Sequence, residues 1–337
     1  MRDGGGLWEI RQRNQGDWPL VIIPEKLVFD LHLEDHSQPS PSTQKVNGGV
    51  IVTSELPDTY RTQGPSDFGP TNLGVVVRFV RMLERELAKL PRSAPSSPEV
   101  RPKGGPAAAA KWGSRESLVA ATKGVFKGPT VLCYKSDTNA FTLANTVCLF
   151  GCAGVLMHGQ EPDEALEPFR GLLSHIPPFR SAFGGGPVRA DVRVQECVRG
   201  FYRATVAGWF SLRAFNLKEY DFWDHPLNGD LNQVCPKFVV MKSPIEKRGG
   251  SKRWDLAYRE VRSHAPSLYF QTLRERGVKA VVRLSKVSRE HQSYDARQFE
   301  AEGVSHYQLE AKDEEVPSRS LIYCFLRICE SEGGGIA

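Results

Sequence analysis

The chain has 337 residues, 40% hydrophobic and 25% charged, a globular composition long enough for about two domains. Its 44 Lys and Arg against 39 Asp and Glu leave a net charge of +5 without a dense basic stripe, which argues against a dedicated nucleic-acid binder. Seven cysteines at scattered spacings, with no Cys-x-x-Cys pair, argue against a disulfide framework or a paired-cysteine zinc site and for a reducing compartment.

Residues 1–19 are Gly-rich and charged and read as a flexible start with no signal peptide. Leu20 to Leu33 predicts strand, turn and strand, and Gln38 to Thr43 a polar loop. Asn72 predicts the cap of a helix running to about Leu90. Leu73, Val76, Val77, Val80, Leu83, Leu87 and Leu90 share one face of it, with Arg78, Arg81, Arg85 and Glu86 off that face. Five prolines between Pro91 and Ser114, with serines, glycines and an Ala run, predict a disordered insertion. A strand follows at Pro129–Tyr134. Asn139 to Gln160 then carries no Asp, Glu, Lys or Arg and approaches the length of a membrane span. Asn139, Thr142, Asn145 and Thr146 crowd its first half and Gly151 and Gly154 interrupt the second, so it reads as a buried core helix rather than a span. A helix beginning at Glu161-Pro162 carries its acids in the first turn. Another covers Arg189 to about Trp209, with Val194, Val198, Phe201 and Thr205 inside.

Residues 210–236 are aromatic and rich in Asn and Asp and read as an inter-domain junction. A strand at Lys237–Lys242 and a basic loop at Glu246–Arg253 follow. One helix ends near Gly277, a buried strand covers Lys279–Ser285, another helix ends at Gly303, and a strand covers His306–Glu310. Pro317 opens a helix whose inner face is Leu321, Phe325, Ile328 and Cys329, and Gly334 to Ala337 opens a further strand. Alternating strands and helices predict an α/β sheet in this half.

His158, His175, His225, His264, His291 and His306 stand alone, with no His-x-x-x-His spacing among them, and read as surface or structural residues. Cys148 and Cys152, four apart on the uncharged helix, read as core packing. There is no GxxxxGK[ST] loop, and Gly184-Gly185-Gly186 reads as plain loop. Cys197 and Arg203 have the Cys-x5-Arg spacing of a cysteine phosphatase, in which a thiolate attacks phosphorus while loop amides and the arginine hold the oxygens. That chemistry needs free amides at a helix N-terminus. The segment CVRGFYR, with Phe201 and Tyr202 inside it, reads as continuous helix, so the match is formal only.

Several segments in order resemble one family, the CDC-fourteen-type dual-specificity protein phosphatases. Asp67-Phe68-Gly69-Pro70-Thr71-Asn72-Leu73 is similar to its DFGPLNL. Asn139-Ala140, Pro162-Asp163-Glu164-Ala165 and Pro177-Pro178-Phe179-Arg180-Ser181-Ala182 resemble its NA, PEEA and PPFRDA. Asn228-Gly229-Asp230-Leu231-Asn232 and Pro236-Lys237-Phe238 resemble NGDLN and P.KF. Val282-Arg283-Leu284, Tyr294-Asp295-Ala296, Phe299, Gly303 and His306-Tyr307 resemble VRLN, YDA, F, G and HY. Thr71, Ser181 and Ser285 stand where the family has Leu, Asp and Asn.

The resemblance implies two tandem phosphatase-like α/β domains. The first, residues 20–209, lacks catalytic residues, and the second, residues 237–337, is incomplete. It implies phosphorylated protein substrates at cyclin-dependent-kinase sites, phosphoserine before proline and phosphotyrosine. No metal or organic cofactor, nucleic-acid partner or membrane partner is implied. The stretch from His306 to Pro317 fits the family's acid loop without gaps and places Asp313 on its general acid, with Glu314 where the family has Gly. A proton delivered to the leaving oxygen is worth roughly 10²–10⁴ in rate. Without the resemblance, Asp313-Glu314-Glu315 is equally a solvated acidic loop before a helix.

The family runs from a strand like Gly335-Ile336-Ala337 into Val-His-Cys and the phosphate loop. The nucleophile and the phosphate-gripping arginine are therefore expected beyond Ala337, and the chain as given is expected to be inactive. It is then either a truncated phosphatase or a pseudophosphatase that binds phosphoproteins. With that loop and its helix gone, Phe325 and Ile328 are expected to be partly uncovered. The basic cluster Lys247 to Arg253 reads as a solvated loop, and the compartment as nuclear or cytoplasmic.

Overall fold

The computed structural model describes residues 20–23, 27–32, 44–46, 50–53, 69–90, 131–137, 140–179, 192–245, 264–284, 294–311 and 317–337. The readings for residues 1–19, 38–43, 91–114 and 246–253 lie outside the described residues. The chain divides into two compact units, Met1–Arg203 and Ala204–Ala337.

In the first unit, β1 (Leu20–Ile23) and β2 (Leu27–His32) form the expected antiparallel pair, with Leu20 opposite Phe29. β2 runs parallel to β5 (Val131–Asp137), and β5 parallel to β4 (Val50–Thr53). β3 (Gln44–Val46) closes the far edge antiparallel to β4, giving the order β1-β2-β5-β4-β3. Strands β3 and β4 were not anticipated, because three or four residues are too few to display an alternation.

The helix α1 (Leu73–Ala88) starts where the sequence places it, with the Asn72 Oδ1 accepting from the Val75 amide at 3.0 Å. One residue is on the wrong side of the predicted face. Glu86 is only 1% exposed. Burial would raise its carboxyl, but hydrogen bonds from Lys89 (2.7 Å) and Arg85 (3.0 Å) outweigh that and hold it below the usual range. Charged flanking residues thus carry an acid to a position that periodicity assigned to solvent.

The uncharged segment forms α2 (Ala140–His158), with eleven of its residues buried. It is apolar all round because protein covers more than one of its sides. Phe150 on α2 meets Phe29, Phe79 and Tyr134 edge-to-face, with centroids 5.7, 5.0 and 5.1 Å apart. Such pairs add about 0.5–1.5 kcal/mol each beyond burial. On another side of α2, a side chain at Gly151 would put its Cβ 2.7 Å from a Val198 methyl. The helix expected after Glu161 is broken into α3 (Pro162–Ala165), a 3₁₀ turn at Glu167–Phe169 and α4 (Arg170–Leu173). Pro168 lacks the amide a continuous helix would need there. The last helix, α5 (Val194–Val206), begins later than predicted, since Val192 is taken up in a bridge to Phe179. Val194 and Val198 are buried, while Phe201 and Thr205 are half-buried.

In the second unit the segment read as a junction holds α6 (Leu217–Asp224), capped by Asn216, and β6 (Leu231–Gln233). β6 pairs antiparallel with β7 (Val239–Met241). The helix α7 (Pro266–Glu275) ends at Gly277, whose φ of +66° is left-handed backbone that glycine adopts without strain. Then come β8 (Val278–Arg283), α8 (Arg297–Ala301), β9 (Ser305–Gln308), α9 (Arg319–Ser331) and β10 (Gly335–Ile336). β9 and β10 both run parallel to β8, in the order β10-β8-β9. The Lys237 carbonyl accepts from the Ile336 amide at 2.8 Å, so β10 is bonded on both sides. Tyr269, Leu273, Val281, Tyr294 and Phe299 form the core of this unit.

The inner face predicted for α9 is the correct one: Leu321, Phe325, Ile328 and Cys329 are half-buried. No residue of α9 is fully buried, and Ile322, Tyr323 and Leu326 are exposed.

The return of the chain into β10 depends on close backbone approach. A Cβ at Gly334 would lie 2.8 Å from the Gly277 carbonyl oxygen and collide with the Lys279 side chain. Gly334→Ala is expected to lower the stability of the second unit by about 1–3 kcal/mol, read as a shifted urea midpoint.

Candidate active site

In an open parallel sheet the carboxyl ends of the strands line the ligand-binding edge. In the second unit that edge is built around β8. On one side the bonding continues past the end of β9 with a slip of one residue: the Leu309 amide donates to the Arg283 carbonyl and the Ala311 amide to the Leu284 carbonyl, both at 2.9 Å. On the other side the Ala337 amide donates to the Ala280 carbonyl at 2.9 Å, and the Val282 amide to the Ala337 carbonyl at 2.7 Å. Ala337 therefore flanks β8 beside Val281, and Ala311 lies on the other flank just past its carboxyl end. Asp313, two positions beyond Ala311, lies outside the described residues.

Three of the sequence segments that carry the resemblance meet at this end. Arg283 (from VRL) is 7% exposed. Its Cζ stands 3.7 Å over the Tyr294 ring (from YDA), and its Nη2 donates to the Tyr294 carbonyl at 3.2 Å. The Tyr294 Oη lies 2.9 Å from Nε2 of His306 (from HY). Burial, and then the Arg283 charge, push the His306 ring below its ordinary 6.5, which favours the neutral imidazole as partner of the tyrosine hydroxyl. Burial raises the Tyr294 phenol, opposed by Arg283. Phe299 stacks on His306 with centroids 6.1 Å apart and meets Tyr294 edge-to-face at 5.5 Å. The individual motifs were legible in the sequence. Their convergence was not, because it joins β8, the segment ahead of α8, and β9.

Because the fold holds His306 below its unfolded value, the folded state resists the proton that the unfolded chain accepts. His306 thus contributes stability above pH 6.5 that is lost as the pH falls below it. The second unit is expected to lose stability between about pH 7.5 and 5.5, with a shallower loss in His306→Gln, measured by urea unfolding across that range.

The NGDLN segment is a structural turn. Gly229 and Asp230 have φ of 137° and 49°, and Asp is among the few residue types that tolerate the left-handed region. The buried Tyr269 hydroxyl donates to the Gly229 carbonyl at 2.7 Å, tying the turn to α7. Burial raises the Asp230 carboxyl. Tyr269→Phe is expected to cost about 1–3 kcal/mol in chemical denaturation, since it strands a buried carbonyl. In the P.KF segment, the Lys237 Nζ donates to the Glu332 carbonyl at 2.6 Å and Phe238 stacks on Phe325 at 5.9 Å, so it fastens α9.

The first-unit segments also serve the scaffold where they are described. The Asn145 Oδ1 accepts from the Thr71 amide at 3.1 Å, and its Nδ2 donates to the Gly69 carbonyl at 3.4 Å, holding the approach to α1. Sequence reasoning gave Asn145 no such role, because its partners lie more than 70 positions away. Asp163 pairs with Arg199 at the surface. Asp67, Phe68, Asn139 and the stretch Arg180–Ala182 lie outside the described residues.

All seven cysteines are free. Cys197 lies inside helix α5, where the backbone amides are already bonded, and its hydrogen bond with Cys148, aided by burial, pushes the thiol far up. Cys148, bonded to Cys152 and buried, is also held well above the ordinary thiol range. Neither is a ready thiolate, and CVRGFYR is not a phosphate loop. Among the described residues no group of three or more His, Cys, Asp or Glu could hold a metal ion.

No family model matches the chain. Individual proteins do, and they are protein phosphatases. The chain is 28% identical to human dual specificity protein phosphatase CDC14A over 277 residues, which is 81% of the chain and 38% of that protein. It is 25% identical to mouse CDC14B over 331 residues, 98% of the chain and 56% of that protein. It is 30% identical to the tyrosine-protein phosphatase CDC14 homologue of Schizosaccharomyces pombe over 217 residues, 63% of the chain and 38% of that protein. The homologues of this chain are the CDC14 dual-specificity phosphatases, as the resemblance in its motifs implied. The chain spans between about two-fifths and just over half of the length of these relatives.

Proposed function

We propose that the chain is part of a CDC14-type dual-specificity protein phosphatase with two phosphatase-like α/β domains. The first domain has no catalytic residues of its own, and the second carries the chemistry. The substrates are phosphorylated proteins, at phosphoserine-proline and phosphotyrosine positions, with cyclin-dependent-kinase sites among them. The enzyme works in the nucleus or cytoplasm, in keeping with seven free thiols.

The observation that carries this reading is the assembly at the carboxyl end of β8. There the VRL, YDA and HY segments meet, the chain leaves β9 towards Asp313, and Ala337 lies on the opposite side. The reaction read for this edge has two steps. A cysteine thiolate attacks phosphorus, the P–O bond to the substrate breaks, and Asp313 gives its proton to the departing oxygen. Water then attacks the cysteinyl phosphate with the resulting carboxylate as base, releasing phosphate and the thiolate. The thiolate and its arginine are read as following Ala337, in a Val-His-Cys-x5-Arg loop.

One observation favours a second reading, a pseudophosphatase that binds phosphoproteins without turnover. In the second unit Cys235 lies in the β6–β7 turn and Cys324 and Cys329 lie inside α9, none of them at a helix N-terminus. The transcript downstream of the Ala337 codon separates the two. An open frame continuing into His-Cys-x5-Arg supports the phosphatase, and a stop codon supports the binding module. The 337-residue chain is expected to release no nitrophenol from nitrophenyl phosphate above a heat-treated control. Release that disappears in Cys197→Ser would overturn the assignment of that cysteine. In a form that carries the loop, Asp313→Asn is expected to lower kcat on phosphoserine peptides by about 10²–10⁴.

A further inference from the structure

Arg283 is the least expected side chain in the second unit. It is 7% exposed, its Nε has no hydrogen-bond partner, and no carboxylate pairs with it among the described residues. A buried guanidinium in that state is costly, and an aliphatic side chain would fill the site without the cost. Stability therefore does not account for an arginine at this position.

Its connections do. The guanidinium is fastened to Tyr294 through the ring face and the carbonyl. Tyr294 is fastened to His306 on β9 through its hydroxyl. The Arg283 carbonyl accepts from the Leu309 amide at 2.9 Å and from the Gln308 side chain at 3.4 Å. Side chain and main chain of one residue thus close a ring that runs from β8 to Tyr294, to β9, and back to β8. The ring sits where β9 ends and the chain departs for residues 312–316. Lysine has no planar fork to lie over the ring while donating to the carbonyl, which is the geometric reason for arginine.

We infer that Arg283 is a positioning residue, a clamp that sets where the chain leaves β9 and so the base from which residues 312–316 start. The inference deepens the reading of Asp313 as general acid and rests on that reading for its chemical consequence. The clamp itself is a property of the described residues alone. Asp313 acts on a leaving oxygen only from a fixed position, and the clamp supplies the fixed end of its segment.

Amide hydrogen exchange on the 337-residue chain tests the clamp without turnover. The reporters are the Leu309 and Ala311 amides, and the controls are the Ile336 amide on β10 and the Arg276 amide at the end of α7. In Arg283→Met, exchange at Leu309 and Ala311 is expected to quicken by about tenfold or more, with both controls within about twofold. Arg283→Lys, which keeps a cation over the ring, is expected to recover part of that protection. Unchanged exchange at the two reporters overturns the inference, as does an equal loss at all four amides, which marks a merely structural residue. Tyr294→Phe keeps the ring and the core volume but loses the link to His306. It decides the question if Arg283→Met does not fold, with a loss at the same two amides expected and no local change overturning the clamp.

A kinetic arm in a form carrying the loop separates the clamp from the acid. Arg283→Met is expected to slow hydrolysis of aryl phosphates with poor leaving groups and to spare those with good ones, as Asp313→Asn does. If Asp313→Asn has no such effect, the acid reading fails. If Asp313→Asn shows the effect and Arg283→Met does not, the clamp has no catalytic consequence and the inference is overturned.

Discussion

Carbonyl oxygens along β8 hold the second unit together at the edge that matters. Those of Arg283 and Leu284 accept from Leu309 and Ala311 on one side, and that of Ala280 accepts from Ala337 on the other. Ala337 meets β8 at Ala280 and Val282, and Ala311 meets the chain just past β8 at Leu284, so neighbours on both flanks are tied to one strand. Everything proposed for function depends on this. Segments separated by 20 or more positions deliver their ends to a single line of backbone bonds, so chemistry carried on those ends operates at one place. The cost is a buried arginine with no counter-charge among the described residues, which the strand carries at its last residue.

The first unit has a different character. Its core is a cluster of aromatic rings centred on Phe150, gripped between α1, α2 and the five-stranded sheet. The ionisable groups inside it are quiet: Glu86 is neutralised by two flanking cations, and hydrogen bonding and burial hold the Cys148 and Cys197 thiols protonated. Nothing described in this unit is arranged to attack or to transfer a proton.

The helices and their ends were legible in the sequence because they rest on local chemistry. Asn72 caps α1, glycines follow α7 and α8, and the apolar stripe of α9 selects the four residues that are half-buried. Legibility failed where a neighbour distant in sequence changes the outcome. Pro168 breaks an expected helix into turns, Val192 is drawn out of α5 by its bridge to Phe179, and Glu86 is buried because cations cover it. The family motifs identified the homologues, yet several of the motif residues serve the fold. Lys237 fastens α9, Gly229 and Asp230 make a turn, and Asn145, outside every motif, holds one in place.

The sequence by itself determined where α1, α2 and α9 lie, which faces of α1 and α9 are apolar, and which homologues the chain has, since caps, periodicity and motif order are all properties of residues close together in the chain. Only the tertiary structure decided that Arg283, Tyr294 and His306 form one buried cluster, and that Ala311 and Ala337 flank the same strand. Contacts of that kind depend on strand order and register, which no local pattern encodes.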